Sequence, residues 1–514
     1  MYVRILSGHR FDLEKMPPMT HRHPAILFLT LTLSVLAFWS APQVMSSEEP
    51  LLLPEIGDAS GALLTPAEEK RLGEAFMRQV RRTQKVVSDP ELTAYLQALG
   101  NRLAVNADPS TQPFTFFLVD APSVNAYAGP GGFIGVHTGL VEAAKNESEL
   151  AGVLAHEMGH VTQRHLYRAY DNARKMSLPL AAIALAGILI GATAGLGGAG
   201  IAAVAGAQAG AVQSQLNFSR NNEQEADRVG LRTLASSGFD PMAMPDFFER
   251  LDQESRYYEN KAPEFLRTHP VTTSRIADTR GRAAQYPTAK TKDSLSFLEA
   301  RAKLRVLTAT TAHTALEGAK ARLAKAPDDI VAQYEYALAL RRADKGEQAA
   351  EQFRKLLNSD SDRLAYLLPL ATSLLQAGKQ TEAFDLLEST SKVFPDNWTV
   401  VYHYAESLLQ YGHPAKAQTL LESYQRAHGP SSEFYRMLAR AYSDSGQSAR
   451  GHLTVGEFYY TQGQTEPAVR QLEIAKREAG DDFYLASQIE ARLKEFQTVL
   501  AEEEKDKQGK GGSG

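Results

Sequence analysis

The stretch from Glu147 to His160 reads ESELAGVLAHEMGH. Leu150, Val153 and Leu154 recur at the three- and four-residue spacing of a helical apolar stripe, so a buried helix is expected to start at Glu147. On that helix His156 and His160 stand one turn apart on one face, where both imidazoles reach a single metal ion. Glu157 is rotated by about 100° from His156, toward a water on such an ion rather than toward the ion itself. The chain contains no cysteine, so the ligands of this metal site have to be histidine, aspartate or glutamate.

Two histidines need a third protein ligand and an open position for water. Downstream, Asn222-Glu223-Gln224-Glu225-Ala226-Asp227 reads as helix. Glu223 and Asp227 are four apart and share a face, whereas Glu225 points about 200° away from Glu223. That face offers a ligand, Glu223, and a carboxylate, Asp227, able to orient a histidine from behind. Upstream, Thr65 as N-cap and Glu68 as its capping-box partner open a helix over Pro66–Val87. Phe114–Val119 is rich in aromatics and reads as a strand, and Asn125–Thr138 (NAYAGPGGFIGVHT) reads as a hairpin around Gly-Pro-Gly-Gly.

With 514 residues, 43% of them hydrophobic and 22% charged, the chain has the size and composition of a folded protein of two or three domains. A net charge of -5 supplies no field that would favour nucleic acid or anionic membrane. In the second half Gly346, Gly378, Gly412 and Gly446 recur at intervals of 32, 34 and 34, and Gly463 follows after 17. Each lies between amphipathic patterns, as in LATSLLQAGKQTEAFDLLEST, and Pro327 and Pro395, each followed by Asp, lie 68 residues apart. A period of 34 with helix–turn–helix units is the tetratricopeptide signature, a solenoid whose concave face takes a peptide or a protein. Residues 501–514 (AEEEKDKQGKGGSG) are expected to form a solvated, disordered tail.

Ala25–Phe38 is a 14-residue apolar run, the length of a signal-peptide core and short for a bilayer span. Residues 1–46 are therefore expected to be a signal peptide cut after Ser46, the alternative being an uncleaved anchor. Asp12 and Glu14 do not belong in an n-region, so translation is expected to start at Met16 or Met19. Leu178–Val212 is an Ala/Gly/Ile/Leu stretch open to two readings, a membrane hairpin or two helices packed through small residues within the soluble domain. Gly187, Gly191 and Gly195 interrupt the run and favour the second, with peripheral contact to membrane or an apolar substrate left open.

HEMGH followed by NEQEADRVG, with NAYAGPGGFIGV upstream, resembles the gluzincin peptidases that include HtpX, the CAAX prenyl endopeptidases and the periplasmic β-barrel assembly-enhancing proteases. LRTHPVTTSRIAD, the signal peptide and the repeat block extend the resemblance furthest toward the last group, over roughly residues 60–500. It implies an α+β zincin-type metallopeptidase domain over residues 47–299, followed by an all-α tetratricopeptide solenoid over residues 300–500. It also implies one Zn2+ held by His156, His160 and Glu223, with Glu157 catalytic, Asp227 supporting it, and His269 a regulatory fourth ligand.

By the same resemblance the chain is a periplasmic endopeptidase of unfolded or stalled envelope proteins. A chaperone-like role in outer-membrane β-barrel assembly would go with it, the assembly machinery being met through the repeats. Glu157 would take the proton of the attacking water, and the hairpin would present an edge strand to an extended substrate. The residues assign no group to the oxyanion. A chaperone or assembly scaffold with latent protease activity fits the repeats equally well, although a purely structural metal site has no need of Glu157. Removal of the chain beyond about residue 300 is expected to leave a folded protease core.

Overall fold

The computed structural model describes residues 64–110, 112–170, 181, 185, 220–257, 263–287 and 291–508, all within one compact unit, Ala59–Gly514. The expected signal peptide and alternative start sites lie outside the described residues, as does all of Leu178–Val212 except Ala181 and Leu185, which are buried. No helix of the described residues is long and apolar enough to cross a membrane.

Helix α1 (Pro66–Thr83) opens on the expected capping box, with the Thr65 and Glu68 side chains each bonded to the other's backbone N–H. It ends four residues earlier than the sequence suggests. Val86 and Val87 are β-branched and pair instead with strand β1 (Thr115–Val119), Val86 bridging Val119 and the Val87 N–H donating to the Leu118 carbonyl at 2.8 Å. Between them lies α2 (Pro90–Ala104), capped by the Asp89 carboxylate on the Leu92 N–H.

Strands β2 (Ala126–Ala128) and β3 (Phe133–His137) form the expected hairpin, in which Gly131 and Gly132 take the positive φ angles of 74° and 76° that the turn requires. The sheet order is β1-β3-β2, with β1 parallel to β3, which leaves β2 at an edge. Helix α3 (Thr138–Ala143) leads to α4 (Glu147–Thr162), capped by Asn146 and followed by α5 (His165–Tyr170). Every residue of α4 from Glu147 to His160 is buried, so the helix that carries HEMGH is the central rod of the domain rather than a wall of it. Around it pack α6 (Arg220–Ser236), α7 (Ala243–Tyr257), α8 (Glu264–Thr268) and α9 (Thr273–Ala283), closing a core that includes Phe116, Ile134, Leu150, Leu154, Phe248 and Phe265.

The second half is helical throughout: α10 (Leu295–Thr308), α11 (Ala312–Lys325), α12 (Ile330–Arg342), α13 (Gly346–Leu357), α14 (Leu364–Gln376), α15 (Gln380–Val393) and α16 (Trp398–Gln410). Then follow α17 (Pro414–Gln425), α18 (Ser432–Asp444), α19 (Ser448–Thr461), α20 (Thr465–Glu478) and α21 (Phe483–Gln508). The irregular first interval of the glycine repeat has a structural reason. Gly378, Gly412, Gly446 and Gly463 each close a helix with positive φ, but in the first unit Asp344 takes that place, at φ 56°. Counted from Asp344 the intervals are 34, 34, 34 and 17. Gly346 serves a different purpose, since a Cβ there would lie 2.7 Å from the Gln376 Cβ and the Ser373 carbonyl. At the far end α21 runs on to Gln508, so residues 501–508 are helix and not the expected disordered tail. Their Ala, Glu and Lys residues are good helix formers that extend a helix already nucleated by packing.

Residue 300 falls in the middle of α10, which belongs to both halves. Phe297, Ala300 and Leu304 complete the core of the first half, while Ala302 and Val306 begin the solenoid core. The halves also meet through charge. The buried Lys303 ammonium stands 2.8 Å from Asp89 and 2.7 Å from Glu91, and His403 of α16 reaches Glu91 at 2.8 Å. Burial works against the Glu91 charge, yet Lys303 and His403 hold its carboxyl well below the usual range. Farther along, Arg81 of α1 donates to the Thr461 carbonyl at 3.2 Å, and Arg78 lies over the Tyr460 ring. A chain ended at residue 299 therefore loses the fully buried Leu304 and the Lys303 anchor from the protease half. We expect it to be less stable to urea than a chain ended after Thr308 by at least about 2–5 kcal/mol, the cost of emptying one buried leucine site.

Candidate active site

Helices α4 and α6 touch backbone to backbone. A Cβ on Gly230 would come within 2.9 Å of the Ala155 carbonyl and the His156 Cα, and one on Gly159 within 3.0 Å of the Ala226 carbonyl. This approach lets the short carboxylate side chains of α6 reach the imidazoles of α4. The His156 and His160 Nε2 atoms are 3.1 Å apart, and Glu223 stands 3.6 Å from the first and 3.4 Å from the second. His269, which caps the C-terminus of α8, brings its Nδ1 to 3.1 Å from Glu223. One ligand atom from each of these four buried residues lies within 4.8 Å of all the others.

These spacings fit a metal. Tetrahedral bonds of ~2.0–2.1 Å put neighbouring ligand atoms about 3.3 Å apart. Imidazole lone pairs facing one another in a dry pocket also require a cation or a proton between them. Burial works against a charge on His156, but Asp227 and Glu223 raise its pKa to about 9. Burial pushes His160 well below the ordinary histidine value. Glu157 is buried with neither carboxylate oxygen hydrogen-bonded among the described residues, and its Oε1 lies 3.5 Å from the His269 Nε2. A buried carboxylate in that state is poised for a ligand or a proton that enters the pocket.

Asp227 lies where the helical spacing put it, its Oδ1 3.0 Å from the His156 Nδ1. Glu225 is away from the cluster, also as the spacing required. Two further residues were not read from the sequence. Arg275 of α9 grips Asp227 with two hydrogen bonds, at 2.8 and 2.7 Å, stands 2.8 Å from Glu223 and donates to the Pro270 carbonyl at 3.0 Å. It ties both carboxylates to the segment that carries His269. His165 sits behind His160, their Nδ1 atoms 2.9 Å apart. The signal for Arg275 was its place six residues after His269; nothing in the local pattern pointed to His165. The edge strand β2 packs against α4, and the Phe265 N–H donates to the Val124 carbonyl at 3.0 Å, joining the approach to β2 to helix α8.

Residues 90–283 match peptidase family M48, and residues 374–441 match the tetratricopeptide repeat family. A protein of Escherichia coli K12 named beta-barrel assembly-enhancing protease is 38% identical over 343 residues, 66% of this chain and 69% of its own length. The chain belongs to the family of the β-barrel assembly-enhancing proteases. A Yersinia pestis protein of the same name is 38% identical over 318 residues, and a Vibrio cholerae relative is 46% identical over 260 residues. The chain spans 65% of the Yersinia relative's length and 53% of the Vibrio relative's. His156, Glu157, His160, Glu223, Asp227 and His269 all lie inside the M48 match.

Glycine to alanine in a helix ordinarily gains about 0.5–1 kcal/mol. At Gly230 the added methyl would push α6 off α4, so Gly230→Ala is expected to lose about 1–3 kcal/mol instead. Thermal melts beside metal titration check this: both Tm and metal affinity should fall together.

Proposed function

We propose that this chain is a zinc-dependent endopeptidase of the periplasm that cuts unfolded or stalled envelope proteins and assists outer-membrane β-barrel assembly. The observation that carries the reading is a buried set of imidazoles and a carboxylate at ligand spacing, with Glu157 beside it and without a hydrogen-bond partner among the described residues. Three nitrogen donors and one carboxylate suit zinc better than calcium or magnesium. His156, His160 and Glu223 would hold the ion, and bound zinc would lower the pKa of a water toward ~7 and polarise the scissile carbonyl. Glu157 takes the proton of the attacking water and returns it to the leaving amine. Asp227, clamped by Arg275, keeps the His156 ring turned toward the cluster. Strand β2 stands at the edge of the sheet, and pairing of main-chain groups with such an edge would suit an extended, unfolded substrate.

The assembly role and the envelope location rest on the relatives' name and on the repeats, whose concave face suits a protein partner such as the β-barrel assembly machinery. A second reading, mainly a scaffold with a latent protease, draws support from His269. With it the cluster already offers four donors, which leaves no open position for water until α8 and the Pro270 segment move.

Glu157→Gln is expected to retain zinc while lowering casein cleavage by at least ~10²–10⁴-fold, whereas Glu223→Gln should lose the metal. Metal analysis beside the cleavage assay separates the two, and near-normal turnover by Glu157→Gln would end the proposed mechanism. His269→Ala should raise casein cleavage at equal metal content, with self-cleavage as a by-product. Unchanged activity would remove the latch and leave His269 a buried loop residue.

A further inference from the structure

We propose that His165 and Glu225 form a relay behind His160 that fixes the orientation and tautomer of this ligand ring; the relay rests on the metal reading above. In an unbroken helix His165, five residues after His160, would be turned by about 140° away from it and could not meet its ring. The chain is bent to make the meeting happen. Helix α4 ends at Thr162, and Arg164 adopts φ 55°, a left-handed conformation that non-glycine residues rarely take. Helix α5 then starts at His165, whose ring is wholly buried against His160 with the two Nδ1 atoms 2.9 Å apart. The other nitrogen of His165 lies 3.0 Å from the Glu225 Oε2, and Glu225 is 39% exposed.

The chemistry of imidazole leaves one arrangement of protons. A metal on the His160 Nε2 takes that lone pair, so the ring proton is on Nδ1. This N–H faces the His165 Nδ1, which therefore accepts and carries no proton. His165 then bears its proton on Nε2, facing Glu225, an acceptor. Every hydrogen in the row points toward the surface carboxylate, and no other tautomer of either ring satisfies all three contacts once the metal is bound. His156 is held directly by Asp227; His160 is held at one remove, through a second imidazole. Neither His165 nor Glu225 belongs to the ligand cluster, so both are positioning residues.

The test measures the zinc Kd of the full chain by competition with a chelator. His165→Leu and Glu225→Ala are expected to weaken zinc binding by about 10–100-fold, the usual effect of removing a ligand's supporting partner. His165→Asn puts an acceptor oxygen near the place of Nδ1, and Glu225→Gln keeps an acceptor facing the ring, so each should recover most of the lost affinity. Spectra of 15N-histidine in the zinc-loaded protein should show a buried imidazole protonated at Nε2 alone, missing from His165→Asn. A wild-type chain that takes up no zinc would overturn the metal reading itself. Tight zinc binding by wild type with unchanged Kd in His165→Leu and Glu225→Ala would overturn the relay alone. Equal losses in the rescuing and non-rescuing variants would also overturn it, reducing His165 to packing. If His165→Leu does not fold, the Glu225 pair decides, because that side chain is partly exposed and tolerates change.

Discussion

Everything at the site depends on how closely two helices can lie. Glutamate and aspartate side chains are short, and the rings they meet are rooted on the opposite helix. Only with Gly159 and Gly230 at the crossing do the backbones of α4 and α6 come into contact, which brings Glu223 and Asp227 within reach of His156. The rest of the fold serves this crossing. The sheet lies against α4, and Phe248 and Phe265 close over His156 at ring separations of 6.1 and 6.2 Å.

Crowding several ionisable groups into a dry pocket is costly unless each is answered. Here the answers are nested. Arg275 compensates Asp227 and Glu223 together, those carboxylates raise the pKa of His156 against the effect of burial, and burial pushes that of His160 down. The arginine thus does for the carboxylates what a metal would do for the imidazoles.

The parts of this that were legible in the sequence are those governed by one helix at a time. The placing of His156, His160, Glu223 and Asp227 on facing sides follows from four-residue spacing, and the absence of Glu225 from the four-residue cluster follows from its two-residue offset. The hairpin was legible from its glycines, and the repeats from their period. What escaped depends on backbone choices that residue type does not announce. His165 reaches the site only because Arg164 goes left-handed, and the 34-residue register was blurred because Asp344, not Gly346, makes the corresponding turn. The boundary near residue 300 was placed where the composition changes, but composition does not reveal that α10 shows one apolar side to each core. The final helix outran its expected end because charge-rich sequence is compatible with both helix and disorder until packing decides.

A helix that is the last element of one core and the first of the next also limits how such a chain can change over generations. Recombination that swaps the repeats wholesale at the compositional boundary would tear Phe297 from Leu304 and leave two damaged proteins. Exchange downstream of Thr308 would spare the shared helix but would still have to reproduce the contacts of His403 with Glu91 and of Thr461 with Arg81. Change in the repeats is therefore constrained twice, by the shared helix at their start and by the contacts that His403, Tyr460 and Thr461 make back to the first half.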